Sequence, residues 1–152
     1  MKCDLLRVCD SDNRMSKVND VSLISLPRHV RDDGELVVAE YGKNVGFPIV
    51  RLFTIKAPAD AERGKHAHRH CSQFMLCLHG AVDVVCDDGV ATRTVTLDSG
   101  DRALLVPPMI WNTVVFRQND SVLAVLCDRQ YEAEDYVHDY QAFLAMRREM
   151  TS

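Results

Sequence analysis

The sequence predicts an all-β domain, an antiparallel sandwich or barrel, with one α-helix closing its C-terminal end. Three observations carry that prediction. From Val21 onward, short apolar runs alternate with turn signals at a spacing of roughly eight to twelve residues. Within runs such as AVDVVC and VATRTVTL, apolar and polar side chains alternate with the period of a half-buried strand. Only the final stretch changes period: in EDYVHDYQAFLAMRRE, Tyr136, Tyr140, Phe143 and Leu144 fall on one helical stripe.

Taken in order, residues 1–20 are polar, lack periodicity and contain SDNR and VND turn chemistry. They read as a flexible N-terminal segment, with a capping strand as the alternative. The strands expected after them are SLISL, ELVVAEY, PIVRLFTIK, QFMLCLH, AVDVVC, VATRTVTL, RALLVP, NTVVF and SVLAVLC. Asp87-Asp88-Gly89, between two alternating runs, reads as a hairpin turn, so its neighbours should pair. No repeat or linker divides residues 21–152, which are expected to form a single domain.

Bulk properties narrow the function. A chain of 152 residues with 47% hydrophobic content can bury one real core. Its net charge of −4 argues against nucleic acid, whose phosphates are held mainly by surplus Lys and Arg. The cysteines at 3, 9, 71, 77, 86 and 127 form no CxxC pair, and Cys77, Cys86 and Cys127 sit in apolar runs as small hydrophobes. They suggest a reducing compartment. MKCDLLRVCDSDNR has too short an apolar patch for a signal segment, and no stretch approaches about 18 uninterrupted apolar residues. A cytoplasmic protein without membrane contact is expected.

The chemistry concentrates in ERGKHAHRHCSQFMLCLHG, residues 62–80, which holds His66, His68 and His70 at alternate positions. On a strand these side chains share a face, and if that face lines a cavity the imidazoles converge there. A single such histidine is most simply a satisfied interior or solvent-facing side chain. Three at period two weaken that simpler reading.

Gly64, His66, His68, Gln73 and Gly80 follow the first motif of the cupin superfamily, and Gly100 and Pro107 the second, which reaches Asn112 where the family places a histidine. The chain thus resembles a cupin jelly roll, or double-stranded β-helix. A metal-binding cupin offers three His and one Glu; here the last two positions are Gln73 and Asn112, neutral amides that bind divalent cations poorly. Two imidazoles remain, suited to moving protons near neutral pH without metal or cofactor.

A narrower resemblance rests on RGKHAH (63–68), Gln73, Asp87-Asp88-Gly89, PMIW (108–111) and SVLAVLCDRQYEAEDYVHDYQAFL. Over residues 22–144 the chain is similar to the dTDP-4-keto-6-deoxyhexose 3,4-ketoisomerases, the WxcM-like cupins. That resemblance implies a metal-free jelly roll, a homodimer exchanging strands, and a place in making 3-amino-3,6-dideoxyhexoses for surface polysaccharides or glycosylated natural products. Moving the ketone from carbon 4 to carbon 3 requires a base for the carbon 3 proton and stabilisation of an enediolate. His66 is the expected base and His68 its polarising or shuttling partner, an order that the residue pattern leaves open.

The substrate set expected with them is Arg51, Arg63, Lys65 and Arg102 for the diphosphate, Trp111 for thymine, and Gln73 and Asn112 for the sugar. Two departures from the family pattern stand out. Phe53 and Thr54 replace aromatic hydroxyls in the strand before RGKHAH, and Ser72 replaces an acidic residue. A jelly-roll epimerase, a metal-dependent dioxygenase and a non-catalytic binder of sugar nucleotides remain the alternatives.

Overall fold

A computed structural model describes residues 14–152, and the part of the N-terminal expectation covering residues 1–13, with Cys3 and Cys9, lies outside them. The alternating runs become β1 (Ser22–Ser25), β2 (Arg28–Arg31), β3 (Gly34–Val37), β4 (Arg51–Ala57), β5 (Glu62–His68) and β6 (Gln73–His79). Then follow β7 (Val82–Asp87), β8 (Thr92–Leu97), β9 (Arg102–Val106), β10 (Trp111–Phe116), β11 (Ser121–Cys127), β12 (Tyr136–Val137) and the helix α1 (Tyr140–Thr151). Two five-stranded antiparallel sheets, in the orders β1-β9-β6-β11-β4 and β12-β5-β10-β7-β8, face each other as a jelly roll. A separate hairpin, β2–β3, has mostly exposed side chains.

The inward faces of both sheets form one core, including Met75, Val84, Leu104, Phe116 and Leu123. The run QFMLCLH is apolar at successive positions because β6 is covered on both faces. Met75 and Cys77 enter the main core, while Phe74 and Leu76 pack outward against Val45 and Phe47. Cys71, Cys77, Cys86 and Cys127 are buried free thiols.

The expected hairpin forms, with β7 and β8 paired from Val82–Leu97 to Asp87–Thr92. Asp88 accepts the amide hydrogens of Val90 and Ala91 across the turn and, through its other oxygen, that of Val18 at 2.9 Å. Val18–Asp20 forms a 3-10 turn with Val18 buried, which ties this part of the N-terminal segment to the body.

The C-terminal helix forms, but it starts later than its stripe suggested. Asp139 caps it by accepting from the Ala142 amide at 2.7 Å, and the chain before the cap is extended. Tyr136 therefore lies on β12, opposite His68 of β5, and off the helical stripe. Phe143 is fully buried on the outer face of the second sheet against Trp111 and Tyr140, a contribution of about 1.5–3 kcal/mol. Among the described residues no helix is long and apolar enough to cross a membrane.

Candidate active site

The strand β5 runs along one side of a cavity of about 610 Å³, with Gln73 and Met75 of β6, Asn112 and Val114 of β10, and Tyr136 and His138 of the tail around it. The period of two holds at its C-terminal end: the rings of His66 and His68 lie 5.0 Å apart, edge to face. It breaks earlier. Asn112 faces His66 while Thr113 faces Gly64, so Lys65 is an extra residue, and both Gly64 and Lys65 have positive φ (+80° and +58°). This bulge returns Arg63 to the cavity, while Lys65 points away as alternation with His66 requires. A Cβ on Gly64 would come within 3.0 Å of the Asn112 carbonyl oxygen, so the close approach of the two strands requires glycine.

His68 is buried, and its Nδ1 lies 2.8 Å from Asp135 Oδ2, which is equally enclosed. A carboxylate can only accept, so Nδ1 carries the proton and the buried Nε2 keeps its lone pair, with no hydrogen-bond partner. Asp135 also accepts from the amides of His70 (2.7 Å) and Cys71 (3.3 Å). Burial works to raise its pKa, but the hydrogen bonds from His68, His70 and Cys71 outweigh it and hold the carboxyl below its ordinary range. Burial pushes His68 down, opposed by Asp135, and pushes His66 down to about 4, helped by the neighbouring His68. Both imidazoles are neutral at pH 7.

Not every expected residue meets the cavity. His66, Gln73, Asn112 and Arg63 line it. The Arg51 side chain lies beside it, with Nη2 3.4 Å from the Tyr136 hydroxyl and 3.5 Å from Cys127 Sγ. The structure does not bring Lys65, Arg102 or Trp111 to it, and His68 is buried beside His66 instead of on its wall. Lys65 is exposed and paired with Glu62 at 2.6 Å. Arg102 lies on β9 opposite Ser25, in the other part of the first sheet. Trp111 alternates with the inward-facing Asn112 and so points outward, where it packs on Tyr140 and Phe143. His70 ends the expected histidine row: β5 stops at His68, and His70 is exposed in the following bend.

Sequence reasoning missed three residues. Asp135, Tyr136 and His138 fall in the acidic, aromatic stretch before the helix, where residue type alone marks no site. The ring of Tyr136 is 4.3 Å from His68 and 5.1 Å from His66, and His138 stacks on Tyr136 at 5.5 Å and lies 5.8 Å from His66. Alternation could have exposed 136 and 138 as same-face positions, but the helical period of the residues beyond them masked it.

The four positions of a cupin metal quartet do not fit a divalent cation here. Two are the neutral amides Asn112 and Gln73, whose Nδ2 and Oε1 lie 3.5 Å apart. A different grouping, His68, Cys71 and Asp135, brings a nitrogen, a sulfur and an oxygen within 4.8 Å of one another. Its carboxylate is already engaged by the imidazole and two amides.

Fold and site together define a cupin-type protein built around a pair of neutral imidazoles, one held by a carboxylate. The family model described as "FdtA: WxcM-like, C-terminal" matches residues 19–148, and the chain belongs to that family. It is 34% identical over 122 residues to the TDP-4-oxo-6-deoxy-alpha-D-glucose-3,4-oxoisomerase of Aneurinibacillus thermoaerophilus, covering 80% of this chain and 88% of that protein. Among solved structures, a 3,4-ketoisomerase from Helicobacter canadensis superposes with a TM-score of 0.82 at 25% identity, covering 85% of this chain and 98% of that one. The WlaRB TDP-quinovose 3,4-ketoisomerase from Campylobacter jejuni does so at 0.79 and 26% identity, covering 83% and 98%.

Proposed function

We propose that the protein is a 3,4-ketoisomerase of a TDP-4-keto-6-deoxyhexose, working by proton transfer between histidines and sugar through an enediolate. The observation that carries this reading is His66 on the cavity wall with the buried Asp135–His68 pair beside it, in a chain 34% identical to a 3,4-oxoisomerase. A cavity of about 610 Å³ suits one sugar with part of its nucleotide.

The surroundings of the two histidines support the order expected from sequence. His66, neutral and on the cavity wall, can reach the carbon 3 proton as its base. His68, buried beside it with its tautomer set by Asp135, is the polarising or shuttling partner. Arg63 and Arg51 are the cations nearest the cavity for the diphosphate. Asn112 and Gln73 contact the sugar.

A homodimer fits the hairpin β2–β3, on which Val30 and Leu36 are 67% and 60% exposed. Within a cell the reading places the protein in the cytoplasm, supplying 3-keto sugars to aminotransferases that serve polysaccharide or natural-product assembly. The test is an NMR time course with dTDP-4-keto-6-deoxyglucose in deuterated water. The carbonyl should move from carbon 4 to carbon 3, with deuterium appearing at carbon 4 of the product and at carbon 3 of recovered substrate; neither event occurring would refute the reading. In the same assay, His66→Asn should slow exchange about 10²–10⁴-fold and His68→Asn should slow it less. The opposite ranking would move the base to His68.

A further inference from the structure

His68, Cys71 and Asp135 meet next to His66, and all three are buried. Their nitrogen, sulfur and oxygen atoms lie within 4.8 Å of one another, the only such grouping of His, Cys, Asp and Glu among the described residues. Three pieces of chain build it: the end of β5 carries His68, the bend after it carries Cys71, and the 3-10 turn Ala133–Asp135 carries the carboxylate. Backbone contacts hold these pieces in place. The Arg69 amide donates to the Asp135 carbonyl at 2.8 Å, and the amides of His70 and Cys71 donate to its carboxylate.

At its simplest this is an oriented histidine beside a core thiol. Two observations point further. His68 Nε2 is buried without a hydrogen-bond partner, so the imidazole keeps an unused lone pair inside the protein. Cys71 also hydrogen-bonds Cys127, whose sulfur accepts from Arg51 Nη2 at 3.5 Å, so a second soft donor adjoins the group. Cys77 and Cys86 are equally buried, yet no imidazole and carboxylate gather round them.

We infer that His68, Cys71 and Asp135 form a binding site for a thiophilic divalent cation, of which Zn²⁺ is the type, and that its occupation silences His68. The silencing rests on the ketoisomerase reading; the binding does not. An imidazole nitrogen, a thiolate and one carboxylate oxygen are donors that Zn²⁺ takes, with Cys127 or a water left to complete a tetrahedron. The charges balance as well, because a thiolate and a carboxylate together neutralise a dication away from water. Asp135 has room, since a carboxylate offers about four lone-pair sites and the contacts from His68, His70 and Cys71 use three of them.

Cys127 and burial raise the pKa of Cys71, so without a cation its sulfur is a neutral thiol. Binding breaks the S–H bond and releases that proton to solvent. The ligating nitrogen of His68 carries no proton: Nε2 is free already, and Nδ1 becomes free when its proton moves to Nε2. Either way the imidazole gives up the lone pair or the tautomer that its work at the sugar requires.

Cd²⁺ is the probe of binding, because a cadmium–thiolate bond has an ultraviolet charge-transfer band that carboxylates and imidazoles lack. Titrated into the full chain, it should give that band. Cys71→Ser replaces the soft donor by a hard one and should weaken binding at least about tenfold, while Cys77→Ala, at a buried thiol outside the group, should bind as the parent does. TDP affinity near the parent's reports that each variant is folded. In the turnover assay Zn²⁺ should inhibit the parent, Mg²⁺ should not, and EDTA should restore the rate. Cys71→Ser should need at least about tenfold more Zn²⁺ for equal inhibition. In the parent, which needs no substitution, the side-chain nitrogens of His68 should shift in nitrogen-15 NMR when Zn²⁺ is added. No cadmium–thiolate band in the parent, unmoved His68 nitrogens, or a band unchanged by Cys71→Ser overturns the site. Cadmium binding at Cys71 without zinc inhibition of an active parent overturns the silencing. If the parent turns over no keto sugar, the ketoisomerase reading fails, and the cadmium and NMR results still decide the site.

Discussion

The Asp135 carboxylate holds Nδ1 of His68 at 2.8 Å across 67 residues of chain, and both side chains are almost wholly enclosed. This contact joins the histidine strand to the turn before the C-terminal helix. It makes two otherwise similar imidazoles unequal: one has a fixed tautomer, and the other faces the cavity.

Asp135→Asn removes the charge while keeping the shape, so His68 loses the partner that fixes its tautomer. Carbon 3 exchange should fall, though less than in His66→Asn, with little change in TDP affinity, and the acid limb of the rate profile should move. Near-normal exchange with an unmoved limb would show that the pair serves stability only. Stability itself should drop by about 1–3 kcal/mol, the range for a buried polar group left without its partner, as measured by denaturant unfolding.

The pKa of His66 is lowered from 6.5 to about 4, and that of His68 is lowered too. Unfolded chains take up these protons near pH 6.5 and the folded protein does so only lower. Stability is therefore fully present above about pH 6.5 and is lost as pH falls toward 4, with a slope of at most about 1.4 kcal/mol per pH unit for each such proton. Denaturant unfolding at pH 7.5, 6 and 5 should show the decline, and His66→Asn should flatten it. A constant unfolding free energy across that range would contradict the burial argument.

Chelation should leave the enzyme working. The quartet positions of Gln73 and Asn112 present neutral amides engaged with each other, a donor set unsuited to iron, manganese or zinc. Turnover after exhaustive EDTA treatment is the measurement. Loss of activity restored by iron or manganese would mean that a cation enters the reaction.

Asn112 sits opposite His66 in the β10–β5 pairing and faces the cavity, where its amide would meet a bound sugar without donating an acid proton. Asn112→His should change the ratio of carbon 4 epimers or slow product formation while leaving carbon 3 exchange largely intact, as read from proton coupling constants. An unchanged ratio and rate would make Asn112 a structural partner of Gln73.

Local pattern determined much of this protein. Alternation marks a residue as inward or outward within its own strand, so the β-class, the paired β7–β8 hairpin and the shared face of His66 and His68 could be read from the sequence. The change of period announced α1. Helix capping set its start: Asp139 caps at the fourth residue of the stripe region, and this released Tyr136 to strand geometry.

Tertiary structure decided which inward residues meet. The bulge at Gly64–Lys65 inserts one residue into the ladder and so inverts the parity of the residues before it, sending Arg63 in, and no alternation rule signals its position; Lys65 points out as alternation with His66 requires. Trp111 and Arg102 were credited with nucleotide contacts because of their residue types. Their strands direct them to the helix face and to the far side of the first sheet. Asp135 and Tyr136 reach the histidines because β12 pairs with β5, and Arg51, on β4 of the facing sheet, reaches Tyr136. Those are pairings between distant segments, selected by the burial of a common core, and short-range periodicity carries no information about them.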